Sequence, residues 1–555
     1  MKNPPCFPII ASVFCRNFRY LVWCGVLILQ LLLLPNKVLA NVYATNLRFN
    51  GGTTNVTVPA VTNISITYIL NEDALRGVAI NISSGATPLR TINLTNPSPG
   101  TLRGTNLVAW DGKDTNGVAV GPGTYTISIT ASTSGYEDWT KISTDAEGNY
   151  VWEGQGIGVN KNPNSPYYGR VFVANSIDGP SAGVRPGDSV GILKLNADGS
   201  PADDSAFWNN TGGWSWGNDH FSPWKLEVSD DDKVYVNDFT TSGIILRFDQ
   251  LISSESRLIV LSSNNYPSQT VSLGGLFISG TGVDTKVWMA DTANPGVGIR
   301  RWQVGSNGSV ATNDLGTTIV QAGAGSDLNL APSDVAVDAS NRIYTIQERL
   351  GNGDPAYRVF RFPPYAATPE TNADWKIGNA DDTFQGAHGI AVDRAGRYLA
   401  VAFVGDNGFP FPQNGSTRVF ETTNGTPVIT LEPSGDHAHT DVTWDNVGNL
   451  YTIDYTDSYW RTYSPPGTNQ ATTVAVVTVQ LGSGSANPIL SAPVHTIGQF
   501  QFTLVGQANV SYIIQSSTNL LNWAPVTTNT SPNSSRIISV SAPANTSFYR
   551  ALVGQ

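Results

Sequence analysis

The sequence predicts an all-β protein in which a six-bladed β-propeller is flanked by an N-terminal Ig-like β-sandwich and a small C-terminal β-sandwich-like domain. A two-strand frame recurs six times in the middle of the chain, with its anchor positions 52 to 63 residues apart. The chain is rich in Gly, Pro, Thr, Ser and Asn, which favours short strands joined by turns. Its 555 residues are too many for one core, and its 14 Trp and 20 Tyr exclude a disordered chain.

Residues 1–40 have the pattern of a secretory signal peptide. Basic residues precede an apolar run from Leu21 to Leu34, and Ala40 offers a small residue at the cleavage point. The run has about fourteen residues, fewer than the ~20 that a spanning helix needs. We therefore expect a secreted or cell-surface protein with no membrane insertion after cleavage. An uncleaved N-terminal anchor is the alternative.

The predicted signal contains all three cysteines, Cys6, Cys15 and Cys24. The mature chain would have no thiol, which excludes disulfides, cysteine-ligated zinc and cysteine nucleophiles. The signal also holds four of the 32 basic residues and none of the 43 acidic ones, so the mature chain would carry a net charge of −15. Such a surface repels phosphate groups, and we expect neither nucleic acid nor an anionic membrane as a partner.

Residues 41–132 have the alternating strands and Gly, Asn and Pro turns of a β-sandwich. The most specific stretch, LVAWDGKD, ends at Asp114, and GPGTY follows it up to Tyr125. A strand ends at Trp110, a hairpin follows, and a second strand begins near Tyr125. This stretch resembles the Ig-like module of the flagellar hook-capping protein (FlgD-type). Its Asp and Asn side chains serve either turn formation or calcium binding.

Residues 136–470 contain the internal repeat. Its clearest copies are VAVD ending at Asp338, GIAVD ending at Asp393 and DVTWD ending at Asp445, each leading to a second strand. The anchors in the second strands are Phe172, Tyr235, Trp288, Tyr344, Leu399 and Tyr451. The segment from Trp139 to Trp152 would supply the strand that closes the ring, because an open ring exposes a sheet edge.

The repeated frame resembles the NHL repeat family and related six-bladed propellers. The resemblance implies the architecture and leaves the function open, because propellers include lyases, hydrolases and pure binding modules. We interpret residues 471–493 as a linker. Residues 494–555 resemble a small C-terminal β-module common in secreted proteins of Verrucomicrobia and related bacteria.

Three histidines are candidate metal ligands. His220, His388 and His439 each precede a second-strand anchor by 11 to 15 residues, which predicts neighbouring places near the central channel. A group of three histidines with an open position would hold a divalent metal for a lyase or hydrolase. The alternative is that they are hydrogen-bonded residues at the channel mouth. His437 and Asp219 are nearby candidates.

Aromatic residues crowd a Gly/Asn-rich loop that includes Trp214, Trp216 and Trp224. Such rings either stack on a sugar or pack their own loop onto the propeller. A second set of polar residues recurs three places after most anchors, and we interpret it as structural: Asn175, Asp238, Asp291, Gln347 and Asp454.

We therefore predict a non-enzymatic binding or scaffold protein, with a glycan or an extracellular protein as its partner and no cofactor. Its candidate ligand-binding residues are Trp214, Trp216, His220, Trp224, His388 and His439. The alternative is a metal-assisted propeller lyase or hydrolase that uses the three histidines. No nucleophile elbow, phosphate loop or zinc-protease motif is present, so the sequence assigns no catalytic residue.

Overall fold

The computed structural model describes residues 42–53, 56–59, 64–121, 123–179, 189–202, 210–239, 243–262, 265, 273–292, 298–347, 357–378, 386–405, 414–433, 437–482, 488–496, 498–506, 510–530, 535–541 and 548–553. The predicted signal peptide with its cysteines lies outside these residues. None of the described residues form a helix that is both long and apolar enough to cross a membrane.

The N-terminal domain is a β-sandwich. Its strands are β1 Ala44–Phe49, β2 Val56–Pro59, β3 Ile64–Leu70, β4 Gly77–Ser84, β5 Thr87–Leu94, β6 Gly104–Trp110 and β7 Gly123–Tyr136. One sheet has the order β1-β3-β6, and the other contains β7-β4-β5. Alternate residues of β6 are buried, and Trp110 packs edge-on against Tyr125 between the sheets. The predicted sandwich is confirmed.

The middle of the chain consists of short antiparallel sheets. Its strands are β8 Thr140–Lys141, β9 Gly154–Val159, β10 Val171–Asn175, β11 Gly191–Leu195, β12 Leu226–Val228, β13 Val234–Asp238, β14 Ile244–Phe248, β15 Leu258–Leu261, β16 Leu273–Ser279, β17 Lys286–Asp291, β18 Gly298–Gln303, β19 Thr317–Val320, β20 Pro332–Val337, β21 Ile343–Gln347, β22 Val359–Phe362, β23 Trp375–Ile377, β24 Ala387–Val392, β25 Tyr398–Gly405, β26 Asn414–Glu421, β27 Pro427–Leu431, β28 His439–Trp444, β29 Leu450–Asp454 and β30 Tyr459–Ser464. Two 3-10 turns lie among them, Glu147–Asn149 and Gly282–Asp284.

These strands form a β-propeller, as predicted. In the described residues they make six sheets: β9–β11, β12–β15, β16–β19, β20–β23, β24–β27, and β28–β30 with β8. The first strands of successive sheets contact one another, and β28 contacts β9. The predicted closing strand is confirmed, because β8 pairs with the last strand, β30, through Lys141 and Thr140.

The segment after the propeller belongs to the N-terminal sandwich. Strand β31, Gly467–Gly482, pairs antiparallel with β7 along most of its length and parallel with β2. The interpretation of residues 471–493 as a linker is therefore wrong for the part up to residue 482. The Thr/Val alternation of this segment is typical of a strand, and its partner lies more than 300 residues away in the sequence.

The C-terminal domain is a small β-sandwich. Its strands are β32 Ile489–Thr496, β33 Gln499–Val505, β34 Ser511–Ser517, β35 Ala524–Thr530, β36 Ser535–Ser541 and β37 Phe548–Val553. They form two sheets with the orders β32-β33-β36 and β35-β34-β37. Phe502, Tyr512 and Ile538 are among the buried residues between them.

Candidate functional site

A β-bulge lies near the start of most first strands of the ring, at one mouth of the central channel. The pairing shifts by one residue in β9, β16, β20, β24 and β28. The residues at the bulges are Gln155, Gly274, Ser333, His388 and Thr440. In the second sheet the corresponding residue is Trp224, just before β12. A bulge re-aims its side chain, so these residues surround the channel mouth.

The residue after each bulge alternates between glycine and a charged residue around the ring: Gly156, Lys225, Gly275, Asp334, Gly389 and Asp441. A β-carbon on Gly275 would lie 1.7 Å from Oδ1 of Asp334, and one on Gly389 would lie 2.5 Å from Oδ1 of Asp441. On Gly156 it would lie 2.4 Å from the carbonyl oxygen of Trp224. The glycines therefore make room for the next sheet and its charged side chain.

The three charged residues form a buried group in the channel. Lys225 Nζ donates to Asp441 Oδ1 at 3.0 Å, and it also donates to the carbonyl oxygen of Thr440. Asp334 Oδ2 accepts the backbone N–H of Ile390 at 2.9 Å, and Asp441 Oδ2 accepts that of Ile157 at 2.9 Å. These bonds link sheets that are distant in the sequence.

Burial changes the protonation of this group. Burial raises the pKa of Asp334 to about 8, with Lys225 opposing the shift and Asp441 adding to it. The pKa of Asp441 is raised by the same desolvation, against the attraction of Lys225. With its pKa at about 8, the Asp334 carboxyl group is protonated at neutral pH.

A cavity of about 180 Å³ opens beside the charged group. It is lined by Phe221, Trp224, Phe239, Gly274, Thr292, Ser333 and His388. We call it the aromatic pocket. Trp224 stacks on Phe239 with the ring centroids 5.5 Å apart, and the His388 ring meets Trp224 at 5.0 Å. The pocket thus combines an aromatic wall with an imidazole and two hydroxyl groups.

The tautomer of His388 follows from its surroundings. Its Nδ1 lies 2.8 Å from the carbonyl oxygen of Thr440, which only accepts, and 3.5 Å from Lys225 Nζ, which only donates. The shorter contact assigns the proton to Nδ1. Burial, and then the positive charge of Lys225, lower the pKa of His388 to about 3. Nε2 has no hydrogen-bond partner among the described residues, and His388 lines the pocket. The ring therefore offers a neutral acceptor to a ligand.

The three predicted metal ligands do not form one site. His220 Nδ1 lies 2.5 Å from Glu153 Oε2. His439 is fully buried, with Nδ1 at 2.7 Å from Thr417 Oγ1 and Nε2 at 3.3 Å from Glu432. His388 faces the aromatic pocket instead. They do not converge because only His388 is a bulge residue, whereas His439 comes one residue before the bulge residue Thr440 and His220 lies ahead of β12.

The part of the chain that the structure describes contains one group of three potential metal ligands, His437, His439 and Asp454. Arg461 forms ion pairs with the one carboxylate of this group and with two acidic residues beside it. The Arg461 guanidinium lies 2.7 Å from Asp454, 2.9 Å from Glu432 and 2.7 Å from Asp457. The cation that balances these acids is therefore an arginine of the chain itself.

The tryptophans of the aromatic loop have two different roles. Trp216 is buried against the second sheet, and Trp214 donates Nε1–H to Asp238 Oδ2 at 2.8 Å. These two tryptophans pack their own loop, whereas Trp224 lines the pocket. The recurring polar residues bond to nearby groups, as Asn175 does to Glu153 N at 3.0 Å. The sequence did not single out Phe239, Ser333 or Lys225 as site residues.

One family model and several solved structures match parts of this chain. The FlgD Ig-like domain family matches residues 53–135. No curated protein matches the chain. The calcium structure of the Trichoderma reesei carbohydrate-active enzyme of family AA12 is 11% identical, with 60% of this chain and 97% of that chain covered and a TM-score of 0.38. The soluble aldose sugar dehydrogenase from Escherichia coli is 9% identical, with 59% and 99% covered and a TM-score of 0.37. The β-propeller domain of the trilobed protease from Pyrococcus furiosus is 9% identical, with 65% and 91% covered and a TM-score of 0.26.

Two sequence predictions are wrong on these comparisons. Several of the similar solved structures are enzymes, among them sugar dehydrogenases, whereas we predicted a non-enzymatic binding or scaffold protein. One of them is a calcium structure, whereas we expected no cofactor. The described residues do not fit calcium at the His437 group, because calcium takes six to eight oxygen ligands and Arg461 holds the carboxylates there.

Proposed function

We propose that the chain is an exported enzyme that acts on a carbohydrate at the aromatic pocket of a six-bladed, NHL-type propeller. The observation that carries the proposal is the contact between Trp224 and His388, whose rings meet at 5.0 Å above a buried group of charges. An aromatic face and a fixed hydrogen-bond acceptor are the two elements that a sugar ring requires.

The wall of the pocket suits a pyranose or furanose ring. Phe221, Trp224 and Phe239 present apolar surface to the C–H face of a sugar, and Nε2 of His388 accepts a hydrogen bond from a hydroxyl group. Because its pKa is about 3, His388 stays uncharged at neutral pH and remains an acceptor. The cavity of about 180 Å³ has room for a single sugar unit.

The charges below the pocket support catalysis over simple binding. Groups with strongly shifted pKa values, gathered at a cleft, are typical of active sites. Here His388 stays neutral, Asp334 stays protonated, and Lys225 stays paired to Asp441 beside a pocket of neutral residues. The buried ammonium would stabilise negative charge that develops on a sugar oxygen.

The proposal is tested with the full chain and a panel of sugars. We would measure release of reducing ends from oligosaccharides, and electron transfer from monosaccharides to an artificial acceptor with and without added calcium. Trp224→Ala should remove turnover, and the matched control Trp523→Ala, in the C-terminal sandwich, should retain it. Absence of both turnover and saturable binding for every sugar would reject the proposal.

Two further parts of the proposal concern location and partners. The signal-like segment supports export, and N-terminal sequencing of secreted protein would test cleavage after Ala40. The acidic mature chain supports a glycan or extracellular protein as partner over nucleic acid. A saccharide that is both bound and converted would make the glycan the substrate.

A further inference from the structure

We propose that Gln155 binds paired hydroxyl groups of the substrate and thereby determines which sugar the enzyme accepts. This inference rests on the proposed function. Gln155 is the bulge residue of β9, the position that Ser333 and His388 occupy in their own sheets. Both of those residues line the aromatic pocket.

The amide of Gln155 is buried without a partner. The residue is 0% exposed, and neither Nε2 nor Oε1 has a hydrogen-bond partner among the described residues. A buried amide that only supports the fold is normally bonded. Asn175, on the neighbouring strand, shows the contrast, because its oxygen accepts from Glu153 N and its nitrogen donates to two carbonyl groups.

Gln155 is not itself a lining residue of the pocket, but its neighbours in the ring contact residues that are. Thr440 donates Oγ1–H to the carbonyl oxygen of Gly154 at 2.7 Å, and the carbonyl oxygen of Thr440 itself accepts from His388. On the other side, Gly156 lies against the backbone of Trp224. Gln155 therefore lies in the ring between the residue that orients His388 and the residue that forms the aromatic wall.

The chemistry of an amide selects the ligand class. Gln155 offers one acceptor and two donor hydrogens, so its ideal partner both donates and accepts. A carboxylate would leave Oε1 without a donor, and an ammonium would leave Nε2 without an acceptor. Two adjacent hydroxyl groups match both atoms. A bound water molecule, which also donates and accepts, is the alternative partner.

The proposal is tested by measuring both the thermal stability and the sugar affinity of a variant. Gln155→Met keeps the length of the side chain and removes both polar atoms. We expect the Tm of the ligand-free protein to rise by about 2 to 4 °C, because an unsatisfied amide is removed. We expect the Kd for the best sugar to rise about tenfold or more, because at least one hydrogen bond is lost. The control Asn175→Leu should lower Tm, because its bonds are structural.

The probes are D-glucose, D-galactose, D-xylose and cellobiose, with 2-deoxy- and 3-deoxyglucose as analogues, measured by calorimetry. The wild type should reject the analogue that lacks one of the paired hydroxyl groups, and Gln155→Met should lose that discrimination. A fall in Tm, or an unchanged Kd, would overturn the role of Gln155 and leave water as its partner. If the wild type binds none of the sugars, the proposed function itself fails.

Discussion

Gly275 and Asp334, on neighbouring first strands of the ring, use the same space. A β-carbon on Gly275 would lie 1.7 Å from Oδ1 of Asp334, whose other oxygen accepts the N–H of Ile390 in the next sheet. The glycine thus leaves room for a carboxyl group that bonds to the next sheet of the ring.

Replacing this glycine should weaken the ring. We expect Gly275→Ala to lower the free energy of unfolding by about 1 to 3 kcal/mol, because the methyl group overpacks the channel. Gly121→Ala is the matched control, since a β-carbon there meets nothing within 4 Å. Denaturant unfolding of both variants measures the difference. Equal stability of the two would contradict the shared space.

The protonation of Asp334 should make stability depend on pH. Its pKa is raised to about 8 in the folded protein, above the value of about 4 in an unfolded chain. The folded state then binds the proton more tightly, so the contribution of Asp334 is complete below about pH 4 and is lost as the pH rises towards 8.

The difference in stability between the wild type and Asp334→Asn isolates the contribution of the Asp334 carboxyl group. We expect the wild type to lose more stability than the variant between pH 5 and pH 8.5, because asparagine does not ionise. Chemical denaturation at several pH values provides the measurement, with Asp284→Asn as a control outside the channel. Parallel pH profiles for wild type and Asp334→Asn would show that the carboxyl group is ionised throughout.

We expect Arg461 to neutralise the carboxylates around it, as a metal ion does in other clusters of acidic residues. It lies within 3.2 Å of each of Asp145, Glu432, Asp454 and Asp457. We expect Arg461→Gln to destabilise the fold by about 3 to 5 kcal/mol, because buried carboxylates lose their counter-charge. Millimolar calcium should restore part of the Tm in this variant and leave the wild type unchanged.

The Arg461 prediction has a control in Arg301→Gln, because the guanidinium of Arg301 lies over the Trp288 ring. This variant should not respond to calcium. A calcium-induced rise in the Tm of the wild type, lost on replacing His437 and His439, would instead make the cluster a metal site.

Strand β31 should couple the folding of the two first domains. The propeller lies between β7 and β31, which pair from Gly467 to Val479. A chain that ends at residue 466 should have an unstable N-terminal sandwich, because β7 loses a neighbour and becomes an edge. A chain that ends at residue 482 should keep that sandwich. Limited proteolysis of the two truncated chains distinguishes them, and equal resistance would contradict the coupling.

Much of the architecture could be predicted because its signals are local. Asp338 and Asp445 each accept backbone N–H groups from residues two to four places further on, so their turns are visible in the repeat itself. The alternation of the strands and the spacing of the anchors depend in the same way on near neighbours. These features were sufficient to predict the all-β class, the propeller and the closing strand.

The candidate site depended on contacts between residues that are distant in the sequence. Lys225 and Asp441 meet at 3.0 Å although they are 216 positions apart, and His388 is oriented by Thr440 from another sheet. No local pattern predicts which bulge residues converge, so the sequence grouped three histidines that have separate partners in the structure. The sequence by itself determined the repeated strands and turns, because their energies come from neighbours along the chain. Only ring closure decided which side chains share the channel, because it brings together sheets that the sequence keeps far apart.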